Sequence, residues 1–175
     1  MSYFAAAVVK DADGWSALEL SLAGAADVED VADRMRDVEP AADVSLLFVE
    51  SDDAYLVIMR LDHGEDLRIF GSDAAFAEES RIGALLLGDV HAAAELTAVD
   101  LDGAGEVDES DEDAEPAPPA DADPAGDPEL LADLGVPGSK LLELCSHDGM
   151  LPSDITAELC QAIGCGDEVE ELREV

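Results

Sequence analysis

Alternating hydrophobic and polar positions predict a β-hairpin at the start of the chain. The apolar run "YFAAAVV" is followed by Asp13 and Gly14, a pair typical of hairpin turns. In the next segment, "SALELSL", polar residues alternate with Leu18, Leu20 and Leu22. Because a period of two places these leucines on one face of an extended chain, we predict a second strand that is buried on one face only.

Helical spacing first appears after this hairpin. Asp27 has the side chain of a helix N-cap, and Pro40 follows the predicted helix. Four apolar residues between them recur at the spacing of one helix face: Val28, Val31, Met35 and Val38. A second helix is predicted where Ser72 or Asp73 can cap the segment 74–77. The segment "GALLLGD" that comes later is compatible with either a strand or a helical turn.

Two further segments are apolar on both faces. They are "VSLLFVE" and "AYLVIMRL", separated by the polar residues 51–53. A strand that is apolar on both faces is typical of the centre of a sheet that is covered on both sides. A turn at 62–66 then leads to a short strand, "LRIFG". With the hairpin, these segments predict a mostly antiparallel sheet of about five strands, covered by helices, in an α+β fold.

The composition changes between Asp102 and Asp127. The segment "DESDEDAEPAPPADADPAGD" is acidic and rich in proline and alanine, and it contains no aromatic or basic residue. Such a segment cannot bury enough apolar surface to offset the entropy that it loses on becoming ordered. We therefore predict a disordered linker over 102–127 and a sheet domain over 1–101.

Helical patterns return after the linker. Asp127, Pro128 and Glu129 resemble a helix start with proline at the first position, and Gly135 a helix end. Three more short helices are predicted in "SKLLELCSHDG", "SDITAELCQAIG" and "DEVEEL". Because about fifty residues of short helices rarely fold alone, we expect the C-terminal segment, 128–175, to pack on the sheet domain.

The net charge is the most unusual property of the composition. Forty-four acidic residues against 8 basic ones give a formal charge of −36 at pH 7. A negative field of this size repels phosphate backbones, so direct nucleic-acid binding is not expected. Adaptation to high salt, GC-rich coding, or a basic protein partner drawn in by the field would each explain the acidity.

The apolar segments also bear on location. "YFAAAVV" is too short to span a bilayer, and it is followed at once by Lys10 and Asp11 without the basic start of a signal peptide. Three cysteines in a chain without an export signal predict reduced thiols. The sequence therefore predicts a cytoplasmic protein that does not associate with membranes.

The strongest candidate for metal chemistry is the segment "LCSHDGMLPSDITAELCQAIGC". It contains four side chains that can bind a soft metal ion: Cys145, His147, Cys160 and Cys165. A structural zinc site needs four converging ligands, which usually come in two close pairs. Here the first pair is tight but the second is separated by four residues, and the predicted helix places Cys160 beside Leu159. We therefore interpret Cys145 and Cys160 as buried thiols and His147 as a surface residue, and we assign no metal or cofactor.

Other catalytic patterns are missing from the sequence. No Gly-x-Ser-x-Gly motif occurs, and the three histidines, His63, His91 and His147, all lie in polar or turn-like contexts. The glycine-rich stretch at 103 lacks the lysine of a phosphate-binding loop. We assign no catalytic residue and expect a protein that is not an enzyme.

Four segments, in this order, resemble a known family. They are "MSYFAAAVVKDADGW", "LLFVESDDAYLVIMRLD", "RIFGSDAAFAEESRIGALLL" and the tail from "DPELLADLGVPGSK" to "CGDEVEEL". On these segments the chain resembles the actinobacterial family of tRNA adenosine deaminase-associated proteins, over nearly its whole length except the acidic linker. The resemblance implies a gene neighbourhood with a tRNA adenosine deaminase, the zinc enzyme that makes inosine at the anticodon.

The resemblance does not imply deaminase activity. Enzymes of that class carry His-x-Glu followed by Pro-Cys-x-x-Cys, in which glutamate moves protons and the other residues hold zinc. In this chain three alanines separate His91 from Glu95, and no Cys-x-x-Cys occurs. The family has no established catalytic residues to carry over to this sequence.

Three functional hypotheses remain at this point. The first is a non-catalytic accessory or regulatory protein that binds a partner with a basic surface, the tRNA adenosine deaminase. The second is a polyanion that mimics RNA and inhibits a basic RNA-binding protein. The third is an uncharacterised metal-binding protein or enzyme that uses Cys145, His147, Cys160 and Cys165. We favour the first hypothesis.

Overall fold

The fold is built on one antiparallel sheet. The computed structural model describes residues 3–51, 54–73, 77, 79–88, 124–147 and 150–174. These contain six strands, namely β1 (Tyr3–Asp11), β2 (Gly14–Glu19), β3 (Val44–Ser51), β4 (Tyr55–Asp62), β5 (Asp66–Gly71) and β6 (Ala125–Gly126). Their spatial order is β2-β1-β3-β4-β5-β6, and every neighbouring pair is antiparallel. The predicted α+β fold with a mostly antiparallel sheet is confirmed.

Five helices accompany the sheet in the described residues. They are α1 (Val28–Val38), α2 (residues 81–88), α3 (Gly138–Ser146), α4 (Pro152–Ile163) and α5 (Gly166–Glu174). Asp27 caps α1 as predicted, because its side chain accepts a hydrogen bond of 3.0 Å from the Asp30 N–H. The ambiguous segment "GALLLGD" falls largely in α2, while residues 74–76 of the helix predicted after Ser72 or Asp73 lie outside the described residues. No described helix is both long enough and apolar enough to span a bilayer.

Alternate residues of the central strands face two separate helix layers. Leu47 and Val49 of β3 lie on one face of the sheet, which we call face A, and α1 and α2 cover this face. Leu46 and Phe48 belong to the opposite face, face B, which α3, α4 and α5 cover. This arrangement explains why β3 and β4 are apolar on both sides, since neither face of these strands meets water.

The C-terminal segment packs on face B, as predicted. Its fully buried side chains include Leu130, Leu131, Val136, Leu141 and Leu159. Burying one such side chain stabilises a fold by about 1.5–3 kcal/mol. The apolar contact of these residues with the sheet therefore holds the short helices in place.

The prediction that a helix starts at Asp127 is wrong. Residues 128–131 form turns, and a single 3-10 turn follows at Ala132–Leu134. The carbonyl oxygen of Leu130 accepts a hydrogen bond of 2.6 Å from Arg60, and the Leu134 N–H donates instead to Leu131 at 3.0 Å. In an α-helix the Leu130 carbonyl would accept the Leu134 N–H, but here it accepts a hydrogen bond from Arg60 of the sheet instead. Gly135 ends the segment as predicted, with φ of 106°.

Most of the predicted linker, 102–127, lies outside the described residues. Its last residues are described, and they belong to the sheet, since β6 pairs with Phe70 and Gly71 of β5. The Asp127 N–H continues this pairing with a hydrogen bond of 2.9 Å to the Ile69 carbonyl. Residues 125–126 therefore form a sixth strand of the sheet before the C-terminal segment begins.

Candidate functional site

The cysteine- and histidine-containing segment is divided between the core and the surface. Cys160, on α4, and Cys165, just after it, are both fully buried in the core of face B. His147, which follows α3, is exposed. The prediction that Cys145 is buried is wrong in degree, because this residue of α3 lies at the margin of the core and is only partly buried.

The burial of Cys165 depends on the end of α4. Gly164 has a left-handed conformation with φ of 102°, and the Cys165 N–H donates to the Cys160 carbonyl at 2.8 Å. A residue that follows a left-handed glycine commonly packs back on the last turn of its helix. The sequence signal that could have placed Cys165 in the core was therefore the glycine before it.

The structure does not bring these four side chains together. Among the described residues, no group of three or more histidine, cysteine, aspartate or glutamate side chains is placed to hold a metal ion. A structural zinc site needs four such ligands. The four residues that the sequence singled out are thus two adjacent buried thiols, one marginal thiol and one solvated imidazole.

The thiols are poor nucleophiles. Burial raises the pKa of the Cys145 thiol to about 12. The pKa of Cys160 is also raised, first by a hydrogen bond with the Cys165 side chain and then by burial. Because the thiolate is the reactive form of cysteine, the raised pKa values of Cys145 and Cys160 lower the reactivity of these two thiols at neutral pH.

Truncating Cys160 should cost little. We expect Cys160→Ala to lower the free energy of unfolding by about 1 kcal/mol, the scale of a modest core truncation, and Cys145→Ala to lower it less because Cys145 is only partly buried. Urea unfolding of the two variants checks the difference. A thiol reagent should label the native protein slowly and the unfolded protein fast. Stoichiometric zinc in the purified protein, with unfolding by a chelator, would contradict this interpretation.

His63 is a turn residue. With Gly64 it occupies the centre of the β4–β5 hairpin, where both have positive φ, 51° and 74°, as a type I′ turn requires. Its Nδ1 lies 3.8 Å from Oδ1 of Asp43, and both side chains are exposed, so the pair contributes little to stability. The other pair that the sequence raised, His91 and Glu95, lies outside the described residues.

Basic residues are used mainly inside the fold. Arg60, on β4, is 3% exposed, and its guanidinium donates to Asp62 at 2.8 and 3.0 Å and to Asp133 at 2.7 Å. Arg68 donates to Asp62 at 3.0 Å and lies 3.8 Å from Asp127. These five residues, the Arg60 cluster, connect β4 and β5 to the segment that follows β6. No local sequence pattern predicts this cluster, because Arg60 and Asp133 are 73 residues apart.

Four other basic residues also make internal contacts. Arg34 binds the carbonyls of residues 21 and 23, and Arg36 pairs with Asp33 and binds the Gly64 carbonyl. Arg173 pairs with the buried Glu50 and stacks on Phe4, and Lys10 stacks on Trp15. Only the side chains of Lys10, Arg81 and Lys140 form neither an ion pair nor a hydrogen bond in the part of the chain that the structure describes.

The outer surface is therefore dominated by carboxylates. Six of the eight basic residues are engaged within the fold, whereas the chain carries 44 acidic residues. One side of α5 carries four exposed carboxylates at helical spacing around Arg173, which pairs with Glu50: Asp167, Glu170, Glu171 and Glu174. A surface of this kind attracts cationic partners and raises their rate of association.

Comparison with known proteins identifies a family. Among curated proteins and among solved structures, none matches the chain. The family model of the Rv3753c-like tRNA adenosine deaminase-associated protein matches residues 3–166 of the 175. The match takes in all six strands and α1 to α4, and the description of the family ties it to tRNA adenosine deaminase. The chain therefore belongs to the Rv3753c-like tRNA adenosine deaminase-associated protein family.

Proposed function

We propose that the protein is a non-catalytic accessory protein that binds the tRNA adenosine deaminase named in its family's description. The observation that carries this proposal is the carboxylate surface left by basic residues that are engaged inside the fold. An enzyme that grips tRNA presents lysine and arginine to the phosphates. Such a basic surface is complementary to this chain.

The chemistry of the described residues supports action by contact. The pKa values of Cys145 and Cys160 are raised, which keeps both thiols protonated. His63 and His147 are both exposed to solvent. These four side chains therefore support a role in binding rather than in catalysis.

The electric field and the direct contacts have different roles in this proposal. Complementary charges mainly raise the association rate, and they act over about 8 Å at physiological ionic strength. Affinity and specificity come from the short-range contacts that follow the encounter. Binding should therefore weaken as salt is added, but it should not vanish.

The test is calorimetry with the purified tRNA adenosine deaminase of the same organism. We expect a complex whose dissociation constant rises about tenfold between about 0.05 M and about 0.5 M salt, mainly because association slows. Deleting residues 102–123 should reduce the affinity only in part, since the folded surface keeps its carboxylates.

Two results would contradict the proposal. No association at low salt would remove its main support. Competition between this protein and tRNA for the deaminase, with loss of deaminase activity in proportion to occupancy, would indicate an RNA mimic that acts as an inhibitor.

A further inference from the structure

One edge of the sheet carries unpaired backbone groups. β2 is the outermost strand at that edge, whereas β6 at the other edge has only two residues. The Leu20 N–H donates to the Ala5 carbonyl at 2.9 Å, which fixes the residue pairs that exchange hydrogen bonds between β1 and β2. In an antiparallel pair, hydrogen-bonded and non-hydrogen-bonded residue pairs alternate. The N–H and C=O groups of Trp15, Ala17 and Glu19 consequently point away from β1.

These outward backbone groups have no hydrogen-bond partner in the described part of the chain. Natural sheets commonly protect an open edge with a proline, a lysine or a β-bulge. β2 contains no proline or lysine. It also has no bulge, since its pairing with β1 is continuous over six residue pairs. The edge can therefore accept one more strand.

The charges around this edge favour a basic occupant. α5 packs beside β2 and carries the exposed Asp167, Glu170, Glu171 and Glu174. The turn before β2 adds Asp11 and Asp13, and Glu19 ends the strand, so these carboxylates outnumber the one lysine nearby, Lys10, which lies over the Trp15 ring. A second copy of this chain would bring a formal charge of −36 against an equal charge. Like-charge juxtaposition opposes such a dimer, whereas a basic segment relieves the repulsion.

We propose that β2 binds an extended, lysine- or arginine-rich segment of the partner protein by strand addition. This inference rests on the proposed function and specifies its contact surface. The backbone groups of Trp15, Ala17 and Glu19 form the hydrogen bonds of the new pairing, and alternate side chains of the incoming strand lie on the side of α5. Main-chain hydrogen bonds give the affinity that the long-range field does not supply.

The decisive variant is Ala17→Pro. The Ala17 N–H points away from β1, so proline at this position removes a donor that the incoming strand needs without removing a hydrogen bond to β1. We expect the dissociation constant for the tRNA adenosine deaminase to rise about tenfold or more, since the variant loses a hydrogen bond and obstructs its neighbours. Ala17→Ser, which keeps the N–H and a small side chain, is the matched control and should bind like the wild type.

Hydrogen exchange on the wild-type protein gives a second readout that does not depend on the folding of a variant. On binding the deaminase, the amides of Trp15, Ala17 and Glu19 should become protected. A complex that leaves these amides exchanging freely, or one whose affinity Ala17→Pro does not change, would overturn strand addition and leave the accessory function standing. Absence of any complex would overturn both. Self-association with protection of the same amides would identify a second copy as the occupant and overturn the basic segment.

Discussion

Arg60→Met is expected to lower the free energy of unfolding by about 3 kcal/mol. The guanidinium is buried, and it satisfies Asp62, Asp133 and the Leu130 carbonyl at once. Removing one partner of a buried ion pair typically costs about 3–5 kcal/mol, because the remaining groups lose their compensation. We place this variant at the lower end of that range because the Asp133 side chain is 60% exposed and water can hydrate it. Urea unfolding measures the change.

Arg36→Met is the matched control. Arg36 pairs with the exposed Asp33 on the surface of α1 and also binds the Gly64 carbonyl, and exposed pairs contribute at most about 1 kcal/mol. A loss of similar size in the two variants would show that the Arg60 cluster is no more important than a surface pair.

Arg60→Met should also change how the stability of the protein responds to acid. Burial alone would raise the pKa of Asp62, but hydrogen bonds from Arg60 and Arg68 lower it below its ordinary value of 3.8. The hydrogen bond from Arg60 also lowers the pKa of Asp133. A lowered pKa contributes stability that is complete above the unfolded value and is lost as the pH falls through the folded one. The stability difference between wild type and Arg60→Met should therefore narrow as the pH falls below about 4.

Gly126→Ala is the second substitution with a large expected effect. Gly126 has φ of 94°, and an added Cβ would lie 2.1 Å from the Ile69 carbonyl oxygen, the acceptor of the Asp127 N–H. We expect the free energy of unfolding to fall by about 2–4 kcal/mol, because the backbone is strained and the pairing of β6 with β5 is broken. Hydrogen exchange should show faster exchange at Asp127, and the Arg68–Asp127 pair should open.

Gly14→Ala separates the two causes. Gly14 also has a positive φ, 138°, but an added Cβ there meets nothing within 4 Å. This control carries the backbone strain without the steric clash, so we expect a loss of about 1 kcal/mol. Equal losses in the two variants would mean that the close approach of β6 to Ile69 is unimportant.

Local patterns in the sequence were enough to predict most of the sheet. The double-sided apolar runs of β3 and β4 report directly on how many faces of a strand are covered. The prediction that β2 is buried on one face only is wrong, because β2 has partly buried residues on both faces. The cap at Asp27 also works through neighbouring residues. Such features depend on contacts of short range in sequence, which makes them readable from a single chain.

The features that sequence reasoning missed depend on distant partners. Arg60 forms its cluster with residues from a segment 73 positions away, and that contact also takes the carbonyl that the predicted helix after Asp127 would have used. β6 has only two residues and no pattern of its own, so its pairing with β5 is set by tertiary contact. The β2 edge was equally hidden, because only the pairing register shows which backbone groups face outward.

The covering of face B by the C-terminal segment has a consequence for biosynthesis. During translation, β1 to β5 leave the ribosome well before α4 and α5 exist, so the nascent chain displays an uncovered apolar sheet that includes Leu46, Phe48 and Ile58. Exposed surfaces of this kind make folding intermediates prone to aggregation and draw chaperones. A premature stop codon ahead of α4 would therefore yield an insoluble product rather than a smaller folded protein.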